Sequence, residues 1–120
     1  MADKKQYQKI MNQVNESIAK GAKIIFGDLN YKIQDSSLEN GYYFHPMILE
    51  NITKDQPCYY QEVFGPVFCL FRVANDSDAI DLANDSCFGL SAAIFSEDIE
   101  RAKKLAIKLE VGTVYINESV

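Results

Sequence analysis

The sequence predicts an α/β fold in which three αβα layers are built around a mostly parallel sheet. Two observations point there. The second half alternates short apolar runs with stretches of helical period, and the 120 residues, 48% of them hydrophobic, suffice for one modest core. Alternation of this kind implies parallel strands joined by right-handed crossovers, with helices on the sheet faces. The whole of 1–120 is expected to be a single partial domain, because no repeat, linker or low-complexity tract interrupts it.

From Asp3 to Lys20, the residues Tyr7, Ile10, Met11, Val14 and Ile18 recur at three and four positions, which predicts an amphipathic helix that Gly21 can end. Lys23-Ile24-Ile25-Phe26 reads as a short β-branched strand closed by Gly27, and the polar stretch from Asp28 to Asn40 as a loop. Tyr42 to Ile52 reads as a second strand. Its polar, aperiodic connection to the first favours antiparallel pairing over a crossover. Lys54 to Gln61 is expected to be irregular, with Pro57 breaking any continuous helix, and Gly65-Pro66 to form a bend.

Val67 to Val73 is almost wholly apolar, the signature of a central strand covered on both faces. Asp76 to Asp85 carries Ala79, Ile80 and Ala83 at helical spacing behind an Asn75 or Asp76 cap, and Phe88-Gly89 breaks that helix. Leu90 to Phe95 is a further strand. Ser96 is placed to cap a helix whose acidic first turn and later Lys103, Lys104 and Lys108 complement the macrodipole. Gly112 ends it before the strand Thr113–Asn117.

The net charge of -5 and the absence of any Lys/Arg run argue against a nucleic-acid partner. No stretch approaches the roughly 18 apolar residues of a membrane helix, and the polar start Met1-Ala2-Asp3-Lys4-Lys5-Gln6 lacks a signal-peptide core, so no membrane association and a cytoplasmic location are expected. Cys58, Cys69 and Cys87, spaced by 11 and 18 residues, fit neither a zinc site nor a C-x-x-C pair, and their odd number suits a reducing compartment.

The six glycines form neither G-x-G-x-x-G nor G-x-x-x-x-G-K-[ST], so no phosphate cradle is evident. His45 is the only histidine, which excludes a histidine-based metal cluster; without an identified partner it reads as structural or solvent-facing. Activated thiols need a cation, a base or a helix N-terminus. Cys69 reads as a small core residue, Cys87 follows a helix C-terminus, and Cys58 lies in a polar loop with no cation near in sequence, so no catalytic residue and no metal site are expected.

The segment Gln61-Glu62-Val63-Phe64-Gly65-Pro66, continued by Val67, resembles the E-x-F-G-P-V motif of NAD(P)-dependent aldehyde dehydrogenases. It is joined, in the family's order, by Gly41-Tyr42-Tyr43-Phe44-His45-Pro46, Ala79-Ile80, Leu82-Ala83-Asn84-Asp85, Phe88-Gly89-Leu90-Ser91-Ala92 and Gly112-Thr113-Val114-Tyr115-Ile116-Asn117. Pro57-Cys58-Tyr59 and Ile116-Asn117-Glu118 are similar to the corresponding segments of succinate-semialdehyde dehydrogenases. The resemblance implies part of that family's catalytic domain, with Glu62 accepting hydrogen bonds from the nicotinamide ribose hydroxyls and Phe64 packing beside that ribose. The residues alone also allow a solvated carboxylate at Glu62 and a core aromatic at Phe64.

The family's nucleophilic cysteine, its glutamate base and its main cofactor-binding strands precede the matched region, and the sequence reaches Val120 short of its P-F-G-G-type loop and terminal oligomerisation strand. The resemblance therefore implies a fragment of an NAD(P)-dependent aldehyde dehydrogenase, inactive alone, binding NAD or NADP and an aldehyde such as succinate semialdehyde only within a complete enzyme. The alternative is a non-catalytic interaction module that complements a partner polypeptide or associates with itself through unpaired sheet edges and helix faces.

Overall fold

The first helix, α1 (Lys4–Ala19), begins where Asp3 turns extended and its Oδ1 accepts the Gln6 amide at 2.8 Å. It ends at Lys20, followed by Gly21 at a φ of 103°. Its buried face is Ile10, Gln13, Val14 and Ser17, a regular i, i+3, i+4, i+7 stripe. The expected stripe of Tyr7, Ile10, Met11, Val14 and Ile18 is thus rotated: Tyr7, Met11 and Ile18 flank the face half-buried, and two polar residues occupy its centre. The computed structural model describes residues 1, 3–38 and 40–119, which fall into two compact units, 1–71 and 72–120.

In the first unit, β1 (Lys23–Phe26) pairs antiparallel with β2 (Met47–Glu50), as the polar connection between them predicts, with an irregularity between Ile24 and Phe26. β2 pairs parallel with β3 (Val67–Cys69), setting Met47 opposite Val67 and Leu49 opposite Cys69. The order β1-β2-β3 makes β2 the inner strand. The run expected to be a central strand is therefore an edge strand three residues long with Phe68 exposed, and the long strand expected over 42–52 shrinks to four residues. Between β1 and β2, Asp28 and Asp35 carboxylates accept the amides of Asn30 and Ser37, closing tight polar turns, and a short 3-10 turn spans Ser36–Leu38. Glu39, inside the expected loop, lies outside the described residues.

A parallel β2–β3 pair requires a crossover, and α2 (Pro57–Tyr60) supplies part of it. Pro57 opens this helix instead of breaking one, since at N1 its missing N–H has no intrahelical acceptor to lose. Met47 and Leu49 on β2 join Ile10 and Val14 of α1 in the core, with Ile52, Cys58 and Val67 beside them. Gln56, wholly buried, donates from Nε2 to the Lys20 and Asn51 carbonyls, which fastens the end of α1 to the exit of β2.

The second unit begins with α3 (Asp76–Asn84), capped by the Asn75 side chain on the Asp78 amide at 3.0 Å. β4 (Ser91–Ile94) and β5 (Thr113–Ile116) pair in parallel register, Ser91 to Thr113 through Ile94 to Ile116, with α4 (Ile99–Ala106) between them in sequence. The cap of α4 is Asp98 and not Ser96; Ser96 Oγ accepts the Asp98 amide one step earlier. Gly89 is needed for clearance and not for a left-handed φ, because a Cβ there would stand 2.6 Å from the Glu110 carbonyl oxygen. Two asparagines tie the unit together. Asn84 donates to the Lys108 carbonyl and accepts the Glu110 amide, and Asn117 makes the same reciprocal pair with Ser96.

The chain is thus a partial α/β domain with mixed sheets, in which two of the three strand pairings are parallel. The expected run of parallel strands is divided between a three-stranded and a two-stranded sheet. Among the described residues of the second unit, Ala102 is the buried hydrophobic, while Leu90, Phe95 and Ile107 are 87%, 70% and 85% exposed. No helix among the described residues is long and apolar enough to cross a membrane.

Candidate functional site

The residues 61–66 lie in the crossover between α2 and β3, and the sequence explains why they stand where they do. Two three-residue turns fold the segment, with the Gly65 amide donating to the Val63 carbonyl at 2.9 Å and Val67 to Gly65 at 2.8 Å. Gly65 sits directly on α1: a Cβ at this position would lie 2.3 Å from Ile10 Cδ1, so a residue with a side chain would require that buried methyl to move. From α1, Gln6 Nε2 donates to the Phe64 carbonyl at 2.7 Å and Gln13 Nε2 to the Glu62 carbonyl at 3.2 Å. The segment is held through its main chain and the Gln61 side chain, Val63 packs against the core, and Glu62 and Phe64 project.

Both residues singled out from the sequence do project. Glu62 is exposed, and Phe64 is 67% exposed, so Phe64 is not a core aromatic of these 120 residues. Phe64 lines a cavity of about 520 Å³ together with Val63, Gly65, Met1, Asp3 and Gln6. An exposed aromatic fixed by its own backbone at a cavity of this size presents a flat apolar wall suited to a planar or ring-shaped ligand group. The neighbouring carboxylate is an acceptor suited to hydroxyl donors.

The thiols Cys58 and Cys69 lie in and against the core of the same unit, with Ser17 beside Cys58. Ser17 Oγ accepts the Cys58 amide at 3.1 Å, and Cys58 Sγ lies 3.5 Å from the Gln13 carbonyl. Cys58 is therefore a buried residue under α1, 6% exposed, and not part of a polar loop. Cys69 Sγ donates to the Cys58 carbonyl at 3.4 Å, which joins the end of β3 to α2. The Cys69 thiol beside it draws Cys58 down to about 7, against the opposing effect of burial and with help from Ser17. Cys69, the donor of that contact and itself desolvated, is pushed up beyond the ordinary thiol range. Cys58 is shut off from solvent, while Cys69 is half-buried at the end of β3.

The signal that could have found Gln13 and Ser17 is their phase. They share the face of Ile10 and Val14, and a polar residue on a buried stripe needs partners.

A second cavity, of about 380 Å³, is lined by Tyr7, Tyr31, Tyr42 and Tyr43 with Lys32. It borders the Gly41–Pro46 segment. His45 packs against Tyr31 at 4.6 Å between ring centroids and contacts the Pro46 carbonyl through Nδ1, which gives it a structural setting.

The model of the aldehyde dehydrogenase family matches residues 1–120. The chain is 40% identical to the chloroplastic betaine aldehyde dehydrogenase of Atriplex hortensis over 114 residues, 95% of this chain and 22% of that protein. Among solved structures, it is similar to succinic semialdehyde dehydrogenase from Streptococcus pyogenes in complex with NADP+, with a TM-score of 0.89 and 34% identity over 100% of this chain and 25% of that one. It is also similar to betaine aldehyde dehydrogenase from Staphylococcus aureus in complex with NAD+, with a TM-score of 0.90 and 36% identity over 98% of this chain and 23% of that one. The chain spans about a quarter of the length of the relatives it matches. The E-x-F-G-P segment, its seating on α1 and the match along the full sequence lead to one conclusion: the chain belongs to the aldehyde dehydrogenase family.

Proposed function

We propose that this chain supplies one wall of the cofactor site of an NAD(P)-dependent aldehyde dehydrogenase, with Glu62 accepting hydrogen bonds from the nicotinamide ribose hydroxyls and Phe64 shielding that end of the cofactor. The observation that carries this reading is the pairing of an exposed carboxylate and an exposed aromatic on a segment whose backbone is pinned to α1. The residues present fit the group: a carboxylate offers enough lone pairs for two vicinal hydroxyls, and the cavity beside Phe64 is of ligand size. A bound nicotinamide would accept hydride from the substrate. Glu62 orients that ribose, Phe64 keeps water from its face, and Gly65 lets the segment sit low enough on α1 for both to act together.

The nucleophilic cysteine and the activating base lie, in this reading, outside these 120 residues, so the chain alone turns over no aldehyde and holds no cofactor tightly. Succinate semialdehyde is one candidate aldehyde, supported by the Pro57-Cys58-Tyr59 and Ile116-Asn117-Glu118 segments; betaine aldehyde is another, given the relatives above. Three free thiols support a reducing compartment such as the cytoplasm.

The test pairs the purified chain with a polypeptide carrying the rest of an aldehyde dehydrogenase catalytic domain. Aldehyde-dependent NADH or NADPH formation is expected only from the mixture, and Glu62→Ala is expected to raise the cofactor KM. An unchanged cofactor KM in that variant defeats the assignment of Glu62. A second reading, an interaction module without catalytic work, is favoured by the exposed Leu90, Phe95 and Ile107. Sedimentation separates the two: stable self-association that the complementing polypeptide cannot disrupt supports the module.

A further inference from the structure

We infer that Gln13 is a positioning residue, which sets the path of the Gln61–Phe64 backbone and thereby the direction in which Glu62 and Phe64 point. Gln13 is 4% exposed, and its Nε2 carries two hydrogens. One goes to Gln61 Oε1 at 2.9 Å and the other to the Glu62 carbonyl at 3.2 Å, so both donors are committed to adjacent residues of the one segment. Gln6, two helical turns earlier, reaches the Phe64 carbonyl. Between them the two amides fix the main chain on both sides of Val63 from a single helix.

The cost of this arrangement shows that packing alone does not explain it. Gln13 Oε1 is buried with no hydrogen-bond partner, as is Gln56 Oε1. A methionine would fill the same volume beside Ile10 and Val14 without stranding a buried oxygen. What methionine lacks is the two donors. A buried amide whose acceptor half is sacrificed while its donor half is fully used is accounted for by the segment it holds. The link from that backbone to a ribose rests on the function proposed above; the link from Gln13 to the backbone does not.

Two substitutions test the assignment in the 120-residue chain. Gln13→Met keeps length and removes both donors, and Gln13→Glu keeps shape but sets an acceptor against two acceptors. Amide hydrogen exchange read residue by residue should quicken at Gly65 and Val67, whose N–H groups close the two turns of the segment, by about tenfold, the equivalent of one ordinary hydrogen bond, while Leu49 on β2 stays unchanged. Exchange that is unaltered at Gly65 and Val67, or that quickens equally throughout residues 1–71, overturns the inference.

Should the Gln13 variants fail to fold, Gln61→Ala removes one acceptor at an exposed position and must quicken the same amides to a smaller degree; no change there overturns it too. In the complemented enzyme, Gln13→Met should raise the cofactor KM with little change in kcat. Faster local exchange with an unmoved cofactor KM supports Gln13 as the positioning residue and counts instead against Glu62 as a ribose ligand, which keeps the two readings separable.

Discussion

Gly65 and Ile10 meet with no room for a methyl group between them, which makes the pair a direct probe of how tightly the 61–66 segment must sit. Gly65→Ala is expected to lower stability by about 1–2 kcal/mol in thermal unfolding, as overpacking against a fully buried neighbour does. Ile10→Val in the same chain should recover part of the loss by withdrawing the Cδ1 methyl. A double variant no better than the single would place the strain elsewhere. The thiol pair gives a second expectation. Cys58 is held at about 7 in the fold, below the ordinary thiol value, so its contribution is complete above the unfolded pKa and disappears as pH falls through 7. Cys69, held high, works in the opposite sense above the ordinary thiol pKa. Thermal stability should therefore climb from pH 7 to about 9 and then turn down, and Cys58→Ser should flatten the climb. At this scale the sequence marks Glu62 and Phe64 by a short motif, and the structure shows both exposed. Gln13, Ser17 and the seat of Cys58 were not, because a periodicity count scores only apolar residues and passes over polar ones in phase with them.

Element boundaries show the same division between what propensity records and what contacts decide. The helices at 4–19, 76–84 and 99–106 follow from their periods and caps, yet the cap of α4 moved from Ser96 to Asp98. Both residue types cap well, and only the backbone geometry decides which carries the turn. Asp98→Ala is expected to cost about 1 kcal/mol and to loosen α4 in amide exchange, with Ser96→Ala costing less, since Ser96 supports the cap from one step outside. Equal losses would return the cap to Ser96. A proline in a string signals breakage, yet in the fold Pro57 stands at the first helical position, where it is tolerated. The strands are shorter than their apolar runs for a related reason. An apolar run such as 67–73 identifies residues that avoid water, whereas a strand also requires a neighbour's hydrogen bonds, and β3 finds them over Val67–Cys69.

For the whole molecule, the two units differ in how far they can stand alone. Residues 1–71 enclose Ile10, Val14, Met47, Leu49 and Val67 beneath a helix and a three-stranded sheet, whereas 72–120 bring only a two-stranded parallel sheet and bury Ala102 among the described hydrophobics. Paired strands without a third rarely hold their shape in water. Expressed separately, 72–120 should give a circular-dichroism spectrum without a cooperative thermal transition, and 1–71 a cooperative one; a sharp transition in 72–120 would contradict this. Fold class was legible in the alternation of periods, and the family in its ordered motifs. The division into two sheets was not, because strand neighbours depend on contacts between distant segments.

The tie from Gln13 to Gln61 and Glu62 crosses 48 and 49 positions of sequence without leaving residues 1–71. The motif and its clamp accordingly travel as one cassette. In chimaeras between this chain and its relatives, a junction near residue 71 should transplant the 61–66 segment together with the helix that aims it. A junction near residue 40 would seat it on a foreign helix, where a non-amide at the position of Gln13 leaves the graft intact in sequence and slack in geometry.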